Sequence, residues 1–206
     1  MRDDVDRLTP LGVMVLALLR EGDMHPYEMI RLMRQRHEDR LVPLTNGTVY
    51  HTVARLTRAG LLTEVGTDRE GNRPERTTYT LTDGGRDAVT DWVRRELGRI
   101  DRPAEFRIAL AESHNLPRHE VEDLLGGRQA ALTAEQTILR AGLNKARSRD
   151  VPEQYLVEID RQATLLEAEL RWTAEFLVRL QNNDIDWGPP SHRAPASGSA
   201  YREATQ

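Results

Sequence analysis

The segment of residues 44–82 constrains the fold more than any other part of the chain. Its first half carries apolar side chains at Val49, Val53 and Leu56, and this spacing predicts a helix with one buried face. Gly60 is suited to the left-handed residue that ends a helix. The opposite face of this helix is then free to meet something other than the chain's own core.

That opposite face is polar and basic. At about 100° per residue, Gly47, His51, Ala54, Arg55 and Arg58 point away from the apolar anchors. No hydrophobic side chain larger than alanine interrupts them. A face of this kind could lie flat in the major groove of double-stranded DNA.

A β-hairpin is predicted directly after the helix. Residues 61–65 and 77–81 are β-branched and apolar enough to form paired strands. Tyr79 and Leu81 alternate with threonines, so one face of the hairpin is expected to be buried. The tip, residues 68–76, is rich in arginine. A helix followed by an arginine-tipped hairpin is typical of a winged helix-turn-helix.

Two further helices are predicted before this segment. Residues 9–20 have almost no polar face and should be buried on nearly all sides. A second helix is expected over residues 26–40, where Pro26 suits the first turn. Pro43 ends this helix, and Asn46 is a suitable N-cap for the third.

The chain divides into three predicted regions, and the fold class is mainly α. Residues 1–99 form a winged helix-turn-helix domain with a two-stranded β-wing, and Thr82 caps a fourth helix within it. Residues 100–183 form a C-terminal α-helical dimerisation domain. Residues 184–206 are too poor in apolar side chains to fold alone, and we expect a disordered tail.

The last long helix, predicted over residues 152–181, carries a heptad-like apolar seam. Trp172 and Phe176 widen this stripe. The apolar seam must be covered to be stable in water, and a chain without cysteine has no disulfide to stabilise it. We therefore predict a homodimer. The predicted dimer-interface residues are Leu156, Ile159, Ala163, Leu166, Leu170, Leu177 and Leu180.

The net charge of −4 does not oppose binding to DNA, because its distribution is uneven. Residues 1–99 hold 16 basic and 16 acidic side chains, whereas residues 100–206 hold 13 and 17. Residues 31–60 carry six arginines against two acids. The sequence therefore predicts a basic strip on a neutral domain.

Several function classes find no support in the sequence. No apolar run approaches the roughly 20 residues that span a bilayer, and the N-terminus lacks a signal peptide's apolar core, so a cytoplasmic location is expected. The six histidines never fall into a metal-binding spacing, and no nucleophile elbow, P-loop or dinucleotide fingerprint is present. We expect no enzyme activity, no metal and no cofactor.

Taken together, these features resemble the PadR family of bacterial transcriptional regulators, over about residues 8–181. Residues 11–29, the helix and glycine of residues 47–61, and the hairpin with its following turn, residues 73–85, carry the resemblance. Many family members have proline immediately before the glycine that opens the third helix. Asn46 stands there in this chain.

The resemblance implies a homodimeric repressor whose last helix packs against its twin and whose two winged helices bind a dyad-symmetric operator. Some members of the family sense flat aromatic compounds at the dimer interface, often beside an aromatic residue of the fourth helix, so the resemblance also points to a small aromatic effector. Here that residue is Trp92, for which simple core packing is the alternative. The predicted DNA-binding residues are Asn46, Gly47, Thr48, Tyr50, His51, Arg55, Arg58, Arg69, Asn72, Arg73 and Arg76.

Alternatives remain open for these roles. Arg55 and Arg58 could contact base edges or only phosphates, and Tyr50 could instead belong to the core. The wing arginines could be paired with Glu70 and Glu75. For the whole protein, the alternative is a protein-interaction adaptor that uses the winged helix as a scaffold without specific DNA binding.

Overall fold

The computed structural model describes residues 8–68 and 76–188 of the chain, and in these residues the fold is mainly helical with one two-stranded sheet. This agrees with the predicted fold class. The elements in chain order are α1 (Pro10–Leu18), α2 (Pro26–Gln35), α3 (Asn46–Arg58), β1 (Leu62–Asp68), β2 (Arg76–Leu81), α4 (Asp83–Leu97), α5 (Pro103–Ala111), α6 (Arg118–Arg147) and α7 (Val157–Gln181), with short 3-10 turns at Glu38–Arg40, Ser113–Asn115 and Glu153–Tyr155.

Helix α1 lies at the centre of the winged region. Every residue from Gly12 to Leu18 is buried, as its almost wholly apolar sequence predicts. The Thr9 hydroxyl oxygen accepts a hydrogen bond from the Gly12 amide at 3.2 Å and so caps the helix. Helices α3, α4 and α5 pack around it.

Helix α2 is shorter than the sequence pattern predicts. It ends at Gln35, and His37 adopts a left-handed conformation with φ of 55°. A residue with positive φ cannot continue an α-helix, so the chain turns there into the 3-10 segment Glu38–Arg40. The predicted extension to residue 40 is therefore wrong by one helical turn.

The wing is an antiparallel hairpin. Leu62 pairs with Leu81, and the register shifts between Glu64 and Gly66, a β-bulge that twists the hairpin. On the other side of β2, Met24 and Tyr79 exchange two backbone hydrogen bonds, each 3.1 Å long. The strands extend further toward the tip than predicted, to the pair Asp68↔Arg76.

The hairpin and α4 approach each other most closely at Gly85. A Cβ atom on Gly85 would lie 2.3 Å from the Leu61 carbonyl oxygen and 2.6 Å from Leu81 Cδ1. The Leu61 oxygen cannot retreat freely, because it accepts hydrogen bonds from the Thr82 amide and hydroxyl at 3.2 and 3.0 Å. Thr82 in turn caps α4 by accepting from the Gly85 amide, as predicted. Position 85 therefore has room only for glycine, because any larger side chain would overlap Leu61 and Leu81.

We expect Gly85→Ala to lower the free energy of unfolding by about 2–3 kcal/mol, because the new methyl group overlaps fixed backbone. Gly84→Ala is the matched control, since its Cβ would meet only Thr82 Oγ1 at an ordinary 3.8 Å. That variant should be neutral or slightly stabilising. Urea denaturation of both variants measures the difference, and equal stabilities would contradict the close approach.

Helices α6 and α7 form an antiparallel pair. Arg128 pairs with Glu169, and Gln162 donates to Glu135, so residues early in α6 lie beside residues late in α7. At the far end, Leu143 packs with Leu156 and Ala163. Residues near the end of α7 join the main core, including Leu177 and Leu180.

The apolar seam of α7 faces the chain's own core. Five of its seven predicted members are buried within one chain, and Leu170 is half-buried. Only Ile159 is exposed. The buried members are Leu156, Ala163, Leu166, Leu177 and Leu180. They have almost no surface left for a second chain, so any partner would have to meet α7 on a different face.

Acidic side chains cluster where the winged and helical regions meet. Burial raises the pKa of Glu112 to about 7, even though Asn115 Nδ2 donates to its carboxylate at 3.1 Å. Burial also raises the pKa of Glu38 to about 7. Arg36 pairs with Glu21 at 2.5 and 2.7 Å. The folded state therefore binds more protons here than an unfolded chain with glutamate pKa values near 4.5.

We expect stability to fall as pH rises through the window from about 4.5 to 7, since folding favours the protonated forms there. Glu112→Gln keeps an acceptor for Asn115 and removes the charge. It should raise the free energy of unfolding by about 1 kcal/mol at pH 8 and leave it nearly unchanged at pH 4.5. Denaturation at both pH values, with the exposed Glu158→Gln as control, checks this; an equal gain at both would contradict it.

Candidate nucleic-acid interface

Helix α3 begins with a reciprocal capping box. Thr45 Oγ1 accepts from the Thr48 amide at 3.1 Å, and Thr48 Oγ1 accepts from the Thr45 amide at 3.1 Å. The N-cap is thus Thr45, and the prediction that Asn46 caps this helix is wrong. Thr48 Oγ1 also donates to the Thr45 carbonyl at 2.9 Å. The hydroxyl group of Thr48 is therefore already used in capping the helix.

The two faces of α3 divide as the sequence pattern predicts. Val49, Val53 and Leu56 are buried, together with Thr52. The exposed residues of the helix include six of the predicted DNA-binding positions. These are Asn46, Gly47, Thr48, Tyr50, His51 and Arg58.

Tyr50 lies on the surface with 46% of its area exposed, so it does not belong to the core. Its ring meets the edge of the His25 ring at a centroid distance of 6.3 Å. His25 Nδ1 accepts from the Tyr27 amide at 3.0 Å and caps α2. The start of α2 therefore supports the first turns of α3.

Arg55 is half-buried and held by the first helix. Its Nη2 donates to Thr9 Oγ1 at 2.9 Å, and it lies 3.4 Å from the Cβ position of Gly12. The same Thr9 oxygen caps α1. Arg55 is thereby oriented by a residue far away in the sequence.

The other arginines near α3 differ in the groups that they contact. Arg58 is exposed, and its Nε donates to the Ala54 carbonyl at 3.3 Å. Arg34 reaches Asn46 Oδ1 at 3.5 Å, beside the start of α3. Arg36, by contrast, is held by Glu21. The basic strip predicted from residues 31–60 thus presents Arg34 and Arg58 to the surface, while Arg36 serves the fold.

The wing residues fall largely outside the described structure. Arg69, Asn72 and Arg73 lie outside the described residues. The backbone of Arg76 pairs with that of Asp68 at the end of the ladder. Their proposed contacts to DNA therefore stay predictions.

Trp92 lies in the main core with 2% of its surface exposed. Its core position matches the alternative of simple packing. A role of Trp92 in binding an effector stays a prediction.

Three positions that support this interface were not predicted from the sequence. His25 caps α2 and touches Tyr50, Tyr27 is exposed beside it, and Thr9 holds Arg55. The proline after His25 was a usable signal, since the residue before a first-turn proline is a common N-cap. No local signal connects Thr9 with Arg55.

Within the described residues, no group of histidines and carboxylates is arranged to hold a metal ion. A search of the same residues finds no helix that is long and apolar enough to span a membrane.

Helices α1 to α3 and the hairpin that follows them together form a winged helix-turn-helix. Residues 15–91 match the model of the Transcriptional regulator PadR-like family, and the resemblance to PadR regulators is confirmed. A comparison with curated proteins finds none that matches the chain.

Solved structures of PadR regulators are similar to this chain at low identity. PadR of Bacillus subtilis in complex with operator DNA is 21% identical, with 82% of this chain and 98% of that chain covered and a TM-score of 0.40. The PadR-like regulator BC1756 of Bacillus cereus is 15% identical, with 84% and 99% covered and a TM-score of 0.37. Bacillus subtilis PadR in complex with p-coumaric acid is 21% identical, with 86% and 97% covered and a TM-score of 0.35.

Proposed function

We propose that this protein is a homodimeric transcriptional repressor that binds a dyad-symmetric operator and is released by a small-molecule effector. The observation that carries the proposal is the outward face of α3, on which Tyr50, His51 and Arg58 are exposed. The match of residues 15–91 to the PadR-like family supports it. A cytoplasmic location and the absence of enzyme activity are part of the same proposal.

The exposed face of α3 suits the major groove in size and chemistry. Its first turn carries only small or polar side chains, and Arg58 follows two to three turns later. Arg58 supplies an exposed cation for phosphate, whereas Arg55 is oriented by Thr9 and suits a contact to a base edge. In this proposal Arg58 positions the protein on the DNA backbone, and Arg55 recognises a base.

We expect the full chain to bind DNA from upstream of its own gene, with affinity that weakens as salt rises. Arg58→Ala should weaken binding to all sequences and lower the salt slope by about 1. Arg55→Ala should reduce the discrimination between operator and random DNA by about 1–3 kcal/mol. Gel-shift titrations at two salt concentrations measure both effects.

The control for these variants is Arg149→Ala, which removes an exposed arginine from the helical region and should leave binding unchanged. Unchanged discrimination in Arg55→Ala would exclude base recognition by that residue. No specific shift by the wild-type protein, or no effect of salt, would exclude the repressor function and favour the adaptor.

A second face of α7 is available for a homodimer. Leu165 and Trp172, seven residues apart and therefore on one side of the helix, are 53% and 43% exposed. Ala168 lies exposed between them, and Trp172 stacks on Phe176 at a centroid distance of 5.1 Å. Apolar groups gathered on one exposed stripe are typical of a protein–protein contact. We propose that this stripe meets its twin.

We expect light scattering to give a mass twice the 23.5 kDa of one chain. Leu165→Glu should shift the protein toward the monomer by placing a charge in the contact. Val178→Glu is the matched control, since Val178 is equally exposed on another side of α7. A monomeric wild type that associates only with another protein would support the adaptor, and a dimer unaffected by Leu165→Glu would place the contact elsewhere.

A further inference from the structure

Asn46 is followed directly by a glycine at the start of α3. The chain holds six asparagines, and the residues that follow the other five are arginine, leucine, lysine, asparagine and aspartate. The backbone nitrogen of the next residue can attack an asparagine side chain, and a Cβ atom on that next residue hinders the attack. Glycine has no Cβ atom, so Asn46 is the asparagine of this chain that is most open to the reaction.

The fold leaves both reacting groups accessible. Asn46 and Gly47 are exposed, and beyond the chain neighbours the nearest side-chain atom to a Cβ placed on Gly47 would be Thr45 Oγ1, at 4.0 Å. Asn46 is the first residue of α3 and Gly47 the second, so the Gly47 amide is among the donors that have no partner within the helix. The Thr45 hydroxyl caps the amide of Thr48 and not that of Gly47.

The helical backbone slows this reaction without preventing it. To bring its side-chain carbon onto the Gly47 nitrogen, Asn46 must rotate out of helical geometry, which releases the hydrogen bond that its carbonyl accepts from the residue four positions later. A first turn opens at low cost because helix ends fray. Asn144 on α6 is equally exposed but is followed by Lys145, so it serves as an internal reference.

The surroundings of Asn46 favour the acid that the reaction forms. The first turn of α3 carries no acidic side chain, and negative charge is stabilised at a helix N-terminus. Arg34 Nη2 lies 3.5 Å from Asn46 Oδ1, so a carboxylate formed at position 46 would have a positive partner at once.

We propose that Asn46 is a site of spontaneous modification, at which the chain deamidates itself. The Gly47 backbone nitrogen bonds to Asn46 Cγ and the Cγ–Nδ2 bond breaks, which leaves a cyclic imide. The proton of the Gly47 amide passes through solvent to the departing ammonia. Water then opens either carbonyl–nitrogen bond of the ring and gives aspartate or isoaspartate. The net change is the consumption of a water molecule and the release of ammonia.

The consequence for DNA binding rests on the proposed function, whereas the modification itself does not. Aspartate at position 46 places a negative charge on the face proposed to meet phosphates, and it pairs with Arg34. Isoaspartate adds a carbon atom to the backbone between Thr45 and Thr48, which separates the two halves of the capping box. Deamidated protein should bind DNA at least tenfold more weakly, a loss of ~1.4 kcal/mol or more.

The test incubates the full chain in mildly alkaline buffer and digests samples with trypsin at intervals, with an unincubated sample to correct for conversion during digestion. Cleavage after Arg40 and Arg55 isolates residues 41–55, in which Asn46 is the only asparagine. The peptide mass reports replacement of the amide by a carboxyl group, and chromatography separates aspartate from isoaspartate.

Asn46 should convert at least tenfold faster than Asn144, which corresponds to a barrier lower by ~1.4 kcal/mol or more. Conversion should be slower in mildly acidic buffer, because the attacking amide must lose its proton.

Two variants test the cyclic route. Gly47→Ala keeps the Asn46 amide but places a Cβ beside the attacking nitrogen, in space that the fold leaves open, and it should slow conversion at least tenfold. Asn46→Gln would have to close a larger ring and should show no conversion over the same period. Thermal unfolding confirms that each variant is folded.

Equal conversion of Asn46 and Asn144, or unchanged conversion in Gly47→Ala, would overturn the proposed modification. DNA titration of fresh and incubated protein separates this proposal from the proposed function. Conversion of a protein that binds no DNA when fresh would refute the repressor alone, whereas DNA binding that survives full conversion would refute the effect on DNA. Asn46→Gln is the matched control, since incubation should not change the affinity of that variant.

Discussion

The burial of α1 on all sides is the constraint on which the rest of the structure depends. A helix without a polar face is stable in water only if other elements cover it completely. Helix α3 covers it from the side of the candidate DNA interface, and α4 and α5 cover it from the side of the helical region. Thr9 at the start of α1 also holds Arg55 of the candidate DNA interface.

Arginines at and near the candidate interface have different roles according to the groups that they contact. Arg36 forms a two-point pair with Glu21 and serves the junction of α1 and α2. Arg55 is oriented by the Thr9 hydroxyl at the start of α1. Among the described residues, Arg58 donates a hydrogen bond to the Ala54 carbonyl of its own helix. Arg36 therefore serves the fold, whereas the side chain of Arg58 is exposed at the surface.

The sequence predicted those features that local patterns determine, and it failed where distant contacts decide. The buried α1, the hairpin and the Thr82 cap follow from periodicity and capping chemistry, and the structure confirms them. Thr45 and Asn46 are both good caps and stand side by side, so propensity alone could not choose between them. The left-handed His37 and the contact between Arg55 and Thr9 depend on residues that fold back from elsewhere. Periodicity showed that α7 has an apolar seam, but it could not show that α6 of the same chain covers it.

One buried arginine contributes to the connection between the winged and helical regions, together with the shared apolar core. Arg128 is 2% exposed, and its guanidinium donates to Glu169 on α7 and to the carbonyl oxygen of Arg99 between α4 and α5. The same group lies 3.6 Å from the centre of the Phe106 ring on α5. Removal of any partner would leave a buried charge partly unsatisfied, which is far more costly than loss of an exposed pair. The two regions are therefore joined by an interaction that resists partial opening.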